Sequence, residues 1–258
     1  MLNLNDARQK IETFIKNQVE CAKVSGVVCG VSGGVDSAVA VSLAVEALGA
    51  DKVLGLIMPD SRVTPDYDTK DAVDLCKKLK IQYKVIDIAP IHSAYMTFLD
   101  PGKTELPAGN LRARIRMGLL YYHSNLEKRL VLGTEDKSES YLGYFTKYGD
   151  SATDFEPIAD LYKTDVRLMA KILGISDSII KKESSPRLWR NQTAVGELGL
   201  QYEQVDKVIR AMEDTGPVVD MYEIAKKARV KPEVVKLVVG MNTYTDFKRK
   251  PIPHCSVR

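Results

Sequence analysis

Ser32, Gly33, Gly34, Asp36 and Ser37 put two hydroxyls, two positions without side chains and a carboxylate into six consecutive residues. Glycine tolerates positive φ and leaves space for a ligand to approach the backbone. If a helix begins directly after the glycines, its first amides have no internal partner and face outward. The combination makes an anion site, most often a phosphate site. Two common phosphate loops are excluded. No lysine lies between Lys23 and Lys52, so there is no G-x-x-x-x-G-K-[ST]; Gly30, Gly33 and Gly34 do not have the spacing of G-x-G-x-x-G. The simpler alternative is a strand-to-helix turn capped by Asp36 and Ser37, but a cap does not require this many specialised residues.

A carboxylate beside phosphates repels them unless a cation bridges the two, and Mg²⁺ suits that task with one or two carboxylate ligands plus phosphate oxygens. A second carboxylate is then expected at a neighbouring strand end. Glu135, Asp136 and Glu139 all follow the apolar run at 129–134, where a solvated charged turn is the alternative. Arg112, Arg114 and Arg116 fall near the start of a predicted helix, with Arg112 and Arg116 on one face and Arg114 on another. Arginine recognises phosphate or carboxylate bidentately, and periodicity does not choose among the three.

The elements that must position these residues alternate. Predicted strands at 27–31, 52–59, 82–88 and 129–134 are separated by predicted helices at 37–48, 69–79, 91–98 and 111–126. Such alternation predicts a parallel sheet with helices on both faces, which binds ligands beyond the carboxyl ends of its strands. Residues 32–37, 59–67 and 133–139 occupy such ends. An irregular, aromatic-rich segment follows at 141–157, then predicted helices at 164–173, 202–212, 221–228 and 232–241, with a loop at 181–199. The 258 residues carry a net charge of +3, too little to imply a nucleic-acid partner. No apolar run approaches the roughly 20 residues of a membrane span. The four cysteines and three histidines are scattered, which argues against zinc and for reduced thiols in the cytoplasm. A single domain over 1–258 is expected.

Taken together, "SGGVDS", "GNLRARIRM", "GTEDKSESYLGYFTKYGDSATDFEPIADLYKT" and "LWRNQTAVGELG" resemble the NAD synthetase family in order and spacing. The first segment alone resembles the pyrophosphatase loop shared by several ATP-splitting, AMP-forming enzymes. The resemblance implies a Rossmann-like adenine nucleotide α-hydrolase fold with additional C-terminal helices, a homodimer, and Mg²⁺-dependent amidation of deamido-NAD. Family members that use glutamine carry an amidase domain before this one. Only one helix precedes the first strand here, so ammonia is the implied nitrogen source. Residue by residue, Gly30, Val31, Ser32, Gly33, Gly34, Val35, Asp36 and Ser37 match the ATP loop, while Thr134, Lys163 and Ser185 match further ATP contacts. Asp36 and Glu139 match magnesium ligands. Arg114, Lys147 and Asp154 match contacts to deamido-NAD, and Phe247 and Lys248 align with a His-Lys pair there. Phe247 departs from that pair, because it stacks but donates no hydrogen bond; Ala194 and Val195 stand where carboxylates are common. The alternative is another pyrophosphatase-loop enzyme, such as a GMP synthetase core or a tRNA-modifying ligase. A third reading, from another class, is a nucleotide-binding regulatory module without chemistry.

Overall fold

The computed structural model describes residues 2–100, 102–215 and 220–257. Helix α1 (Leu4–Ala22) leads into β1 (Gly26–Gly30), α2 (Val35–Leu48), β2 (Val53–Ile57), α3 (Asp66–Leu79), β3 (Gln82–Val85), α4 (Ala89–Met96), α5 (Leu106–Glu127) and β4 (Arg129–Leu132). Short α6 (Lys137–Leu142) follows, then α7 (Lys163–Ile172), α8 (Asp177–Ile180), α9 (Ala194–Leu198), α10 (Tyr202–Glu213), α11 (Met221–Ala228), α12 (Pro232–Tyr244) and α13 (Asp246–Arg249). The four strands form one parallel sheet in the order β3-β2-β1-β4. The chain moves outward from β1 to β3 and then returns to the other side of β1. The switch point, where ligands bind in such sheets, therefore lies between the carboxyl ends of β1 and β4.

Strand alternation sorts the core into two layers. Val27, Cys29, Val53, Ile57 and Leu132 pack with α1, α2, α3 and α7. Val28, Leu54, Leu56 and Val131 face the other way, onto Ile115 of α5 and Ile88. Helices thus cover both faces of the sheet, as the alternation predicts. A separate apolar cluster joins α6, α10, α11 and α12 through Leu142, Val205, Ile209, Ile224 and Val238, and this is the C-terminal helical addition.

Several boundaries differ from the sequence reading. Helix α2 begins at Val35 with Gly34 as its N-cap and no side-chain cap bond. Asp36 and Ser37 lie in the first turn and do not cap it, so their side chains are free for other partners. Helix α5 begins at Leu106 with a proline in its first turn, five residues before the predicted start. The three arginines therefore sit well inside the helix. The strands end earlier than predicted. After β2 the chain stays beside its neighbour irregularly, with Ile86 and Ile88 donating to the Ile57 and Pro59 carbonyls at 2.8 Å each. The short helices α6, α8, α9 and α13 have too few turns to impose a period on the sequence. Leu111, Ile115, Leu119 and Tyr122 recur at helical spacing along α5, and they divide: the first three pack on its own sheet, while Tyr122 is exposed.

Candidate active site

The glycine loop leaves β1 at its carboxyl end. Gly33 has φ +79°, and a Cβ there would lie 2.3 Å from the Asp68 carbonyl oxygen, so both conformation and space require glycine. The hydroxyls hold the loop in shape. Ser37 Oγ donates to the Gly34 carbonyl at 3.1 Å, accepts from the Ser32 amide at 3.2 Å, and lies 3.0 Å from Ser32 Oγ. With glycine at the cap, the first amides of α2 have no side-chain acceptor, which leaves them available to an anion. Val31 and Val35 are buried, and the Val31 amide already donates to the Leu56 carbonyl at 2.9 Å. Their part in the loop is to anchor it.

Opposite the loop, α6 is capped by Asp136, whose Oδ1 accepts from the Glu139 amide at 2.8 Å. That cap turns Asp136 and Glu139 toward Asp36. One oxygen from each of the three carboxylates lies within 4.8 Å of the others. Lys163, the first residue of α7, is fully buried and places its Nζ among them, 2.7 Å from Asp36 Oδ1, 2.8 Å from Asp136 Oδ2 and 2.8 Å from Glu139 Oε1. Only the Glu139 contact has hydrogen-bond geometry. Asp36 Oδ1 and Asp136 Oδ2 are buried and accept no hydrogen bond, so the Lys163 ammonium meets them through charge alone. Three carboxylate oxygens gathered this closely, two of them accepting no hydrogen bond, fit a hard divalent cation.

The electrostatics follow from this crowding. Burial pushes Asp136 up to about 6, against the attraction of Lys163. Burial likewise holds Glu139 well above the usual carboxylate range, with Asp136 and Asp36 adding repulsion. Burial opposes the charge on Lys163, but the three carboxylates outweigh it and hold the ammonium well above its ordinary value. Asp136 was one of three candidates past β4 in the sequence, and the structure brings it into the cup. Glu135 does not join the three, and its backbone amide donates to Glu156 Oε2 at 3.1 Å. Thr134 lies between β4 and α6 and is half-buried.

The irregular segment gathers most of the remaining predicted residues. Arg114 is exposed and donates through Nη2 to the Lys147 carbonyl at 3.2 Å. Lys147 Nζ donates to the Phe247 carbonyl at 3.1 Å and lies 5.7 Å from the Phe247 ring centre. Lys248 is half-buried and donates to the Gly143 and Phe145 carbonyls at 2.7 Å each. Asp154 serves the sheet, accepting from the Val131 amide at 2.7 Å and from the Tyr121 hydroxyl at 3.3 Å. Ser185 is engaged locally: its hydroxyl donates to the Gln192 carbonyl at 2.6 Å and accepts from the Arg187 amide at 3.2 Å.

Sequence reasoning missed the latch that carries Ser185 to the glycine loop. Lys182 Nζ donates to the Gly33 carbonyl at 2.9 Å and pairs with Asp68 at 2.7 Å and Asp71 at 2.6 Å. Arg187 Nε adds a second cation to Asp68 at 2.8 Å. Lys182 and Gly33 are 149 positions apart, and no local pattern announces such a pair.

Glu135 and Glu156 make a second, half-buried acidic pair, with Glu135 next to the cup in sequence and linked to Glu156 by its amide. Burial pushes Glu135 up to about 8 and Glu156 to about 7. Both values lie above the ordinary 4.5, so their contribution to stability is intact below about pH 4.5 and is lost as pH rises through 7 to 8. The melting temperature is expected to fall between pH 6 and pH 8.5, and Glu156→Gln to flatten that fall. A slope unchanged in the variant would remove this pair as its cause. Differential scanning calorimetry across the range provides the measurement.

A parallel sheet whose switch point brings a glycine loop against a carboxylate cup defines a nucleotide-binding α/β enzyme domain. The chain belongs to the NAD synthase family, whose model matches residues 7–252. The NH(3)-dependent NAD(+) synthetase of Hyperthermus butylicus is 46% identical over 252 residues, covering 98% of this chain and 91% of that one. Among solved structures, the NH3-dependent NAD synthetase of Campylobacter jejuni, in complex with the nitrate ion, is 32% identical with a TM-score of 0.83. It aligns over 99% of this chain and 100% of that one. The NMN synthetase of Francisella tularensis is 30% identical with a TM-score of 0.85, over 99% of each chain.

Proposed function

We propose that the chain catalyses ATP-dependent amidation of deamido-NAD with ammonia, giving NAD, AMP and pyrophosphate. The observation that carries this reading is the meeting of glycine loop and carboxylate cup at the β1–β4 switch point, in a chain of this family. ATP places its phosphates on Gly30–Ser37, where Ser32, Ser37 and the first amides of α2 hold the departing pyrophosphate. Thr134, Lys163 and Ser185 complete the ATP site. Asp36 and Glu139, joined by Asp136, hold Mg²⁺, which when bound neutralises phosphate charge and draws electrons from the α-phosphorus. Arg114, Lys147, Asp154, Phe247 and Lys248 form the deamido-NAD side. The nicotinate carboxylate attacks the α-phosphorus and pyrophosphate leaves. Ammonia then attacks the acyl-adenylate carbonyl, and AMP departs. Positioning and charge stabilisation supply the rate, so no side-chain nucleophile is required.

Ammonia, and not glutamine, is the nitrogen donor in this reading. The names of the relatives support it. Single-domain architecture over 1–258 and a homodimer belong to the same reading. The exposed apolar residues Tyr122 and Leu126, one turn apart on α5, supply a surface for a second copy. No helix among the described residues is long and apolar enough to cross a membrane, and all four cysteines are free thiols. We place the protein in the cytoplasm on the latter ground.

The test mixes protein, ATP, Mg²⁺ and deamido-NAD with an ammonium salt or with glutamine, and follows pyrophosphate and NAD. Turnover is expected with ammonium alone. Its total requirement should fall as pH rises, because neutral ammonia is the nucleophile. Turnover with glutamine overturns the nitrogen source. Pyrophosphate release that needs no deamido-NAD overturns the substrate, and a preference for nicotinate mononucleotide moves it to the shorter nucleotide.

A further inference from the structure

The three arginines of α5 differ in what holds them. Arg112 is buried and ion-paired, its Nε donating to Asp60 Oδ2 at 2.7 Å and its Nη1 to the Leu188 carbonyl at 3.0 Å. Arg114 is exposed at the Lys147 carbonyl. Arg116 is half-buried, and its Nε donates to the Met58 carbonyl at 2.9 Å. Among the described residues it forms no ion pair, and neither Nη group donates to a partner. Burial lowers its pKa to about 10 despite the pull of Asp60 and Asp150, so the guanidinium remains charged at neutral pH.

Its position is defined from three sides. Met58 directly follows β2. Gly30, at the end of β1, opens toward Met58 Cε at 3.6 Å and toward Leu120 Cδ1 at 3.8 Å, one turn beyond Arg116. The segment carrying Lys147 rests on α5 one turn before it. Thr146 Oγ1 donates to Asn110 Oδ1 at 2.8 Å, and a Cβ on Gly149 would lie 2.9 Å from Ala113 Cβ. Arg116 thus stands where the strand ends bearing the glycine loop meet the segment proposed to hold deamido-NAD.

We infer that Arg116 grips the nicotinate carboxylate of deamido-NAD through its free Nη fork, an inference that rests on the amidation reading. A desolvated charge with no direct ion pair is costly, and an incoming anion lowers that cost. The planar fork matches a carboxylate in two parallel hydrogen bonds. Amidation converts that carboxylate to a neutral carboxamide, so the same contact weakens once the product forms. Arg116 therefore separates substrate from product.

Deamido-NAD and NAD share their phosphates and differ only at this group, so the pair distinguishes a carboxylate contact from a phosphate contact. Calorimetric binding of each dinucleotide to wild type, Arg116→Gln and Arg116→Lys is the experiment, with melting temperatures recorded for all three. Arg116→Gln is expected to weaken deamido-NAD by about 10–100-fold while leaving NAD unchanged, and Arg116→Lys to recover part of the loss. Equal weakening of both dinucleotides assigns the contact to phosphate and overturns the carboxylate. Unchanged binding of both, with a lower melting temperature, reduces Arg116 to a support for the Met58 turn. A wild-type protein that binds neither dinucleotide and forms no amide overturns the amidation reading, and this inference with it.

Discussion

Lys163→Met is expected to lower turnover by about 10³-fold or more and to lower the melting temperature by about 6–20 °C when Mg²⁺ is absent. Its ammonium is the sole cation in contact with Asp36, Asp136 and Glu139 among the described residues. Methionine keeps most of the side chain's bulk and removes its charge. Breaking a buried ion pair by deleting one partner costs about 3–5 kcal/mol, and a chain of this size loses about 2–4 °C per kcal/mol. Added Mg²⁺ should restore much of the melting temperature, because a divalent cation replaces the missing charge in the cup. The activity should not return, since the lysine is also proposed to reach ATP. A variant whose melting temperature is unchanged, or insensitive to Mg²⁺, would show that the three carboxylates are not jointly charged at neutral pH.

Asp36→Asn and Glu139→Gln should do the opposite to stability while also removing activity. Each removes one carboxylate from a cup that crowds three around a single lysine, so repulsion falls and the fold is kept. Turnover is expected to drop about 10²–10³-fold, the scale seen when one charge-stabilising contact is lost at a transition state. Mn²⁺ binding, read by electron paramagnetic resonance, should weaken in parallel. Near-normal turnover in either variant would remove that residue from the metal site. Asp136→Asn separates the cap from the charge: asparagine still accepts from the Glu139 amide, so α6 should persist while metal affinity falls. The contrast in sign between the lysine and carboxylate variants is the sharper result, because a purely packing role would destabilise all of them.

The sequence made the glycine loop, the parallel sheet and its covering helices legible, because their signals are local: an apolar run, two glycines, and a run of small apolar residues. Asking what a carboxylate beside phosphate requires leads from Asp36 to Glu135, Asp136 and Glu139 together, and the family resemblance singles out Glu139. Asp136 stood among the candidates, but what sets it apart is a fold property, since its cap bond aims α6 at Asp36. The choice among Arg112, Arg114 and Arg116 was closed to periodicity. Their partners are Leu188, Lys147 and Met58, which lie on three separate segments. Asp68 was equally hidden, because Lys182 and Arg187 reach it from more than a hundred residues away. The short helices escaped for a different reason: one turn of helix carries no repeat.

The return of the 143–155 segment to β4 has a consequence for solubility. β4 is a sheet edge, and a bare edge is a template on which another chain can pair. Here the Val131 amide donates to Asp154 Oδ2 and its carbonyl accepts from the Asp154 amide at 3.0 Å, while the Gly133 amide donates to the Phe155 carbonyl at 2.9 Å. The Arg129 carbonyl is covered by Ser124 Oγ at 2.6 Å. The segment that carries Lys147 toward substrate is therefore also the guard on this edge. Loosening it, by heat or by loss of Asp154, uncovers a ready-made strand for intermolecular pairing, so conditions that release substrate contacts and conditions that start aggregation should coincide.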